Sequence, residues 1–424
     1  MKEQLATLIK ELYPICRSIT GDGVRETLRI LQRRIPLELH EVPSGTSVFD
    51  WKVPKEWNIK EAFIKGPNGN KVVDFAKSNL HIVSYSVPFH GRMRLEELAK
   101  HLFTMPDRPD WIPYRTSYYK ESWGFCLTHR QFQELPDGEY EVHIDSTLRD
   151  GHLTYGECFL AGETSDEVLV SCHVCHPSLC NDNLSGVAAM CALYGKLAER
   201  RRRYSYRFLF IPGTIGSITW LALNESRTVS IKHGLVIAGV GDKGRFTYKK
   251  TRRGAAEIDR AFQHVLQHAG DDSKMMDFHP YGYDERQFCS PGFNLPVGGV
   301  MRTPFGEYPE YHTSGDNMEF ISLDALLDSI DKCASAFDII DSNQTYLNQN
   351  PKCEPQLGRR GLYQAVGGQT QTKDNEMAIL WVLNFSDGAH SLLDIAEKSG
   401  CSFALIKGAA DRLAEHQLLK AQAV

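Results

Sequence analysis

The strongest constraint on the fold of this chain is a series of short apolar runs between residues 151 and 345, each followed by a helical pattern. Residues 168–172 form a buried-type strand, and RFLFI (207–211) and GLVIAGV (234–240) repeat the form. Between the first two, SGVAAMCALYGKLAERRRR is a helix with Val187, Met190, Cys191, Tyr194 and Leu197 on one face. A second helix surrounds ITWLAL. Strands spaced by helices predict an α/β domain with a largely parallel sheet. In such a sheet the loops that leave the carboxyl ends of the strands carry the function.

The chain has 424 residues, enough for two to three domains. The first 35 residues read as helix, with Leu5, Leu8, Ile9 and Leu12 on one face. RSITGDGVRETLRIL carries a second helix, with Val24, Leu28 and Leu31 inward and Thr20 or Asp22 as its cap. From 50 to 150, Trp, Tyr, Pro and Gly become frequent and the apolar runs shorten. KGPNGNKVV reads as a hairpin with Asn68-Gly69 at its tip. HLTYGECFL and DEVLVSCHV read as strands. The expected division is an α/β domain over 1–49 and 151–345, an inserted β-rich domain over 50–150, and a terminal module over 355–424. Residues 346–372, rich in Gln, Gly and Asn, read as linker. The last segment shows helical patterns at 375–384, 391–399 and 403–419, a helix-turn-helix arrangement with little room for a wing.

Composition excludes several classes. Hydrophobic residues at 42% and charged residues at 24% describe a folding chain, against a disordered or fibrous one. With 48 basic and 53 acidic residues, net −5, no polybasic surface dominates. No window is apolar enough to span a membrane, and MKEQLATLIKELYP has no signal-peptide core. Eleven cysteines without an export signal predict reduced thiols and a cytoplasmic protein.

Three stretches carry candidate chemistry. In SCHVCHPSLCNDNLSG (171–186), His173 ends a strand and Asp182 lies nine residues on, at the start of the next helix. A His and an Asp at a strand tip suit Zn²⁺ or a similar ion. Read blandly, Asp182 or Asn183 only caps the helix. Cys172, Cys175 and Cys180 in the same stretch could suggest a thiolate site, but a second paired cluster is missing, and Cys172 alternates with His173 along the strand. The second stretch, 282–317, concentrates Asp284, Glu285, Glu307, Glu310, His312 and Asp316 in a Gly/Pro-rich loop. The third is Asp242, directly after an apolar strand, which could point into the His173 crevice or simply make a turn beside Gly241.

In this order, His, Asp-Asn before a helix, an acid after a later strand, then DE…YHTSGDN, the chain resembles the co-catalytic zinc aminopeptidases. RSITGDGVRETL, SCHVCHPSLCNDNLSG, IGSITW, VGDKG and DERQFCSPGFNLPVG…YHTSGDN together make nearly the whole chain resemble a bacterial aminopeptidase-like family often labelled polysaccharide biosynthesis proteins. The resemblance implies a zinc-aminopeptidase-like mixed sheet flanked by helices, an inserted β-rich domain and a C-terminal winged helix. It implies His173, Asp182 and His312 as metal ligands. In two-metal relatives Asp182 would bridge, and Asp242 would hold the ion shared with His173. Asp284 matches an acid that orients a ligand or substrate.

One departure matters. Active aminopeptidases carry two adjacent Glu after the intervening strand, one the general base and one a metal ligand, and the aminopeptidase-like family keeps Pro-Glu-Thr. This chain reads Pro212-Gly213-Thr214. Glycine offers neither ligand nor base, so one zinc ion is expected, with the second site in doubt. Asp284 and Glu285 are the candidate catalytic acids, and Glu307 and Glu310 could also fill the gap. Tyr311, next to His312, and the Arg252-Arg253 pair in YKKTRRG are candidates for substrate binding; the arginines would suit a carboxylate or phosphate. The run RRRR at 200–203 suits the negative end of its helix.

The expected function is a metal-dependent, aminopeptidase-like hydrolase of an amide bond in a peptide or small molecule. The alternatives are a metal-binding pseudoenzyme that lost its base at Gly213, and a winged-helix regulator. Residues 373–424 hold five Lys/Arg and seven Asp/Glu, net −2, which opposes DNA binding. A homo-oligomer contact through the terminal module is the expectation instead.

Overall fold

In a computed structural model, residues 1–362 and 370–422 are described. Of the expected linker, 363–369 lie outside the described residues. The chain divides into two compact units, Met1–Ala256 with Asp272–Asp331, and Glu257–Asp271 with Lys332–Val424.

The first unit is built on an eight-stranded mixed sheet. Its order is Glu38–Pro43, His152–Leu160, Ser205–Ile211, Glu167–His173, Ile231–Ile237, Val297–Met301, Thr247–Lys249, Lys274–Met276. The four strands from Ser205–Ile211 to Val297–Met301 run parallel, while the first two strands pair antiparallel, as do Val297–Met301 and Thr247–Lys249. Every residue of Glu167–His173 and Ser205–Ile211 is buried, which explains their unbroken apolar character. The chain leaves Glu167–His173 to one side, for Ser205–Ile211, and then crosses to the other side for Ile231–Ile237. This reversal of strand order opens a crevice at the carboxyl ends, with His173 in register with Ile211. His173, Gly213 and Gly239 therefore stand at one edge of the sheet.

Helix Lys2–Leu12 follows its expected face, with Leu5, Leu8, Ile9 and Leu12 buried, whereas in Gly186–Ala198 Val187, Met190 and Leu197 are buried as expected but Cys191 and Tyr194 are only half-buried and Leu193 is buried with them. At the second helix, Asp22–Gln32, the cap differs from expectation. Gly21 occupies the cap with φ of 99°, because Thr20 is turned inward to bond Tyr85 and the Trp57 amide. Arg202 donates to the Leu197 carbonyl at the end of Gly186–Ala198, the helix-end role expected of the arginine run.

The segment 50–150 holds a four-stranded antiparallel sheet, in the order Lys71–Asp74, Glu56–Lys65, Glu139–Arg149, Phe89–Arg94. Gly69, φ 78°, sits in the turn joining the first two. This sheet clusters within the same compact unit as the eight-stranded one.

In the second unit, helices Thr370–Phe385, Leu392–Ser399 and Phe403–Glu415 pack with a three-stranded sheet, Asp387–Ser391, Thr345–Asn348 and Leu419–Ala421. This is a winged helix-turn-helix. The winged helix implied by the resemblance is present, and the wing for which the last helical patterns left little room is made by pairing the last strand with Thr345–Asn348, most of which was expected to be linker. Ser391 and Asp394 form a capping box, and Gly400 ends that helix in the left-handed region. On Phe403–Glu415, Lys407 is paired with Asp411, leaving little positive charge for a phosphate backbone. No helix among the described residues is long and apolar enough to cross a membrane.

A buried ion triad ties the eight-stranded sheet together. Arg207 forks both oxygens of Glu167 at 2.7 Å and also pairs with Glu157, which accepts from Trp220. Replacing Arg207 by Ala leaves buried Glu167 without its cation and Glu157 with only the half-exposed Arg227, 3.7 Å away. Chemical denaturation should show a loss of about 3–5 kcal/mol. A loss under about 1 kcal/mol would mean that water already screens the triad.

Candidate metal centre

Asp182 is the hub of the crevice. Its Oδ1 lies 2.8 Å from Nε2 of His173 and 3.7 Å from Nδ1 of His176, and its Oδ2 lies 3.0 Å from Nε2 of His312. His173 and Asp182 are buried, and His312 is about a third exposed. Burial alone would push the Asp182 carboxyl up, but the three imidazoles outweigh it and hold it well below the usual carboxylate range. Burial drives His176 the other way, well below the ordinary imidazole value, with Asp182 opposing the shift.

Asp182 does not open a regular helix. Across Cys180–Ser185 the backbone is irregular, with Asp182 at φ −111°, ψ 80° and Asn183 at φ −143°, ψ 36°. The loop is held from outside. Both carboxylate oxygens of Asp316 accept backbone N–H groups, from Asn181 at 2.6 Å and Asp182 at 2.9 Å, and the Asp316 carbonyl accepts from Cys180. Burial raises the Asp316 carboxyl to about 7. Asn183 does cap the next helix, accepting from Gly186, and it also bridges Gly239 and Ile237 on the neighbouring strand.

Three distant segments complete the walls. Arg17, in the RSITGDG stretch, is buried; its Nε donates to the His176 carbonyl at 2.9 Å and its Nη1 to Leu12 at 2.6 Å. Burial lowers this guanidinium to about 10. Tyr114, from the β-rich segment, sets its ring edge-on to His176 and His312, each 5.2 Å away, and its amide donates to the His312 carbonyl. That contact supports His312 at φ 54°, an uncommon conformation for a histidine. Tyr283 stacks on His173 at 4.2 Å, and Tyr311 stacks on His312 at 4.0 Å; their hydroxyls meet at 3.1 Å. Tyr311 thus lies in the wall of the centre.

Two expectations are corrected. Asp242 is not directed at His173. Its Oδ1 accepts from Gly244 and Thr303 Oγ1, and its Oδ2 from Asn181 and the Thr303 amide, so its four lone pairs are occupied. It secures the Asn181 side of the loop instead of offering a ligand atom. Glu285 is buried against Lys249, whose Nζ lies 2.8 Å away, and it accepts from the Tyr283 amide. A carboxylate so held is a structural counter-ion, not a base.

Asp284 is buried beside the Gly213 strand end. Its Oδ1 accepts from the Thr214 amide at 2.7 Å and Ser217 Oγ at 2.8 Å, while its Oδ2 has no partner. Burial raises its pKa. Thr214, at φ 64° and ψ −66°, is the centre of a strained γ-turn in which Ile215 N–H donates to the Gly213 carbonyl at 2.9 Å. Glu307 is exposed and Glu310 half-buried, and neither belongs to a metal-type cluster among the described residues. Arg252 and Arg253 bond Asn294 rather than any residue of the histidine cluster.

The residue that sequence reading missed is His176. His173, His176 and Asp182 present ligand atoms within 4.8 Å of one another. The signal was the His-x-x-His spacing beside Asp182, which is silent until the loop path is known. His176 Nδ1 is buried with no hydrogen-bond partner, 3.7 Å from Asp182 Oδ1. With His312, these donors fit a nitrogen- and oxygen-liganded divalent cation. Among the described residues the nearby thiols are not part of this cluster, and burial raises Cys175 to about 12 and Cys180 higher still.

Residues 6–343 match the family described as a domain of unknown function, DUF4910, and residues 344–421 match a winged helix-turn-helix family. A curated Clostridium acetobutylicum protein, provisionally named a polysaccharide biosynthesis protein with aminopeptidase-like domain, is 55% identical over 98% of this chain and 96% of its own. A crystal structure from Clostridium acetobutylicum, provisionally named a peptidase, superposes with a TM-score of 0.95 at 53% identity, over 99% of this chain and 96% of that one. A zinc aminopeptidase from Bacillus subtilis shares the fold, with a TM-score of 0.57 at 13% identity over 79% of this chain and 94% of that one. The chain therefore belongs to the DUF4910 family, an aminopeptidase-like fold that here continues into a C-terminal winged helix.

Proposed function

We propose that this protein is a metal-dependent hydrolase that cleaves an amide bond in a peptide or small molecule. The observation that carries this reading is the convergence of His173, His176 and His312 on the Asp182 carboxylate. Three such donors and an open position are the usual arrangement of a catalytic zinc site, and a fourth donor leaves that position open only if the coordination expands to five. His173, Asp182 and His312 would hold one Zn²⁺, with His176 as the added ligand. When bound, such an ion supplies a Lewis acid that polarises a carbonyl and lowers the pKa of water. The zinc aminopeptidase whose fold is shared gives this reading its chemical class.

The chain's own residues do the rest. Asp182 orients His173 and His312 from one carboxylate. Arg17 fixes the backbone of His176. Tyr283 and Tyr311 stack on two of the imidazoles and close the apolar side of the crevice, excluding water. Asp284, raised by burial and with Oδ2 free, is the acid nearest the Gly213 turn and the group suited to hold a proton there.

A second reading is favoured by one observation. Beside His173, where the resemblance to aminopeptidases implies a Glu, Gly213 has no side chain, and a metal-binding pseudoenzyme would look the same. The position tolerates a side chain: a Cβ would lie 3.5 Å from both Cys175 Sγ and His173 Cβ, ordinary contacts, and its backbone is outside the left-handed region.

Protein prepared without a metal-chelating tag should carry about one zinc per chain, and His176→Ala should weaken zinc by about tenfold or more in a chelator competition. Unchanged affinity would remove His176 from the ligand set. Gly213→Glu should raise hydrolysis of amino-acid amides by about a hundredfold or more, the contribution of a positioned general base. No gain with metal bound would count against that strand end as the place of the missing base. Arg17→Ala should cost about 1.5–3 kcal/mol in denaturant unfolding. It should also weaken zinc, and an intact zinc affinity would contradict its role in positioning His176.

A further inference from the structure

Two aromatic pairs lie outside the centre, joined by one hairpin: exposed Phe49 with half-buried Phe293, and exposed Trp51 with exposed Tyr119. In the hairpin Ser47–Val48 and Trp51–Lys52, Phe49 occupies the turn at φ 55° and is 55% exposed. Turns of this kind favour Asn or Gly, and a bulky residue at positive φ is strained. Phe49 is thus unfavourable on two counts, conformation and hydration. Trp51 is 42% exposed and Tyr119 is 60% exposed, and their rings meet edge-on at 5.3 Å. Phe49 meets Phe293 edge-on at 5.8 Å.

This surface adjoins the centre. Val48 is fully buried in the same core as Ile215 and Ile218, so the hairpin packs on the helix that begins right after Gly213 and Thr214. Tyr118, next to Tyr119, bonds the hydroxyl of Tyr114 at 2.9 Å, and Tyr114 lies against His176 and His312. Tyr118 thus links the segment that carries Tyr119 to the wall of the crevice.

The rim is also cationic. Asn294, following Phe293, holds Arg252 through its side-chain oxygen at 3.0 Å and Arg253 through its carbonyl at 2.9 Å. Both arginines are exposed, and neither has a carboxylate partner among the described residues. Glu121, two residues after Tyr119, is paired with Lys55. Guanidinium forks held by a neutral amide are free to take a carboxylate or phosphate. Clustered exposed aromatics mark a binding surface.

We propose that Phe49, Trp51, Tyr119, Phe293, Arg252 and Arg253 form a distal substrate surface that stacks a ring and pairs an anionic group attached to it. The proposal rests on the reading of the histidine cluster as the reaction centre and specifies what the rest of the substrate looks like. The ring can be aromatic or a pyranose, since both present a flat apolar face.

The test is a titration of the full-length, zinc-loaded protein with phenyl phosphate and with glucose 1-phosphate, followed by tryptophan fluorescence and calorimetry. Saturable binding of at least one probe is expected, and the probe preferred identifies an aromatic or a sugar ring. Arg252→Gln with Arg253→Gln should weaken it about tenfold or more. Trp51→Ala, at an exposed position that does not endanger folding, should weaken it as well. Binding of neither probe, or equal binding by wild type and the arginine variant, would overturn the proposal. Because binding is read without turnover, a failed titration leaves the hydrolase reading untouched, and an inactive centre leaves the titration result untouched.

Discussion

A single carboxylate facing three imidazoles organises this molecule. A buried Asp costs several kcal/mol unless its charge is compensated. At Asp182 the compensation comes from His173 on its own strand end, His176 on the adjoining loop and His312 from 130 residues on. Bringing them together requires the 173–186 loop to follow an irregular path. That path is set by Asp316, whose carboxylate takes up the amides of Asn181 and Asp182.

The supporting shell shows why the N-terminal helices and the β-rich segment belong to the same compact unit as the eight-stranded sheet. Arg17 holds the His176 carbonyl, Ser178 Oγ donates to the Tyr13 carbonyl, and Asn79 donates to Ser178. Ile112 and Ser314 exchange hydrogen bonds, and Pro113 bridges to Thr313, so the β-rich segment fixes the loop that presents His312. The inserted strands are thus part of the wall of the centre. At the opposite side, Gly213 and the strained Thr214 turn leave space beside His173, and buried Asp284 anchors that turn with one oxygen only.

Much of the fold was legible because its signals are local. The buried strands 167–173 and 205–211 are continuous apolar runs, and the helix 2–12 shows its face through Leu5, Leu8, Ile9 and Leu12. His173, Asp182 and His312 could be picked out by their order along the chain. What could not be read depends on tertiary partners. His176 sits in a loop without periodicity, so its Nδ1 is aimed only once Arg17 and Tyr114 have placed it. Asp242 and Glu285 looked available because Thr303 and Lys249, the groups that occupy them, are 61 and 36 residues away. The winged helix was expected from the resemblance alone, because the strands that build its wing, the central Thr345–Asn348 and its partner Leu419–Ala421, lie at opposite ends of the module.

The central claim is that Asp182 and its histidines hold a metal ion. Crystals of the protein grown without chelator and measured on both sides of the zinc absorption edge test it most directly. The account predicts one strong anomalous peak within coordinating distance of Asp182, His173 and His312, with His176 Nδ1 turned towards it. An empty crevice in protein supplied with zinc, with His173 and His312 still bonded directly to Asp182, would contradict it. So would a peak held by other residues.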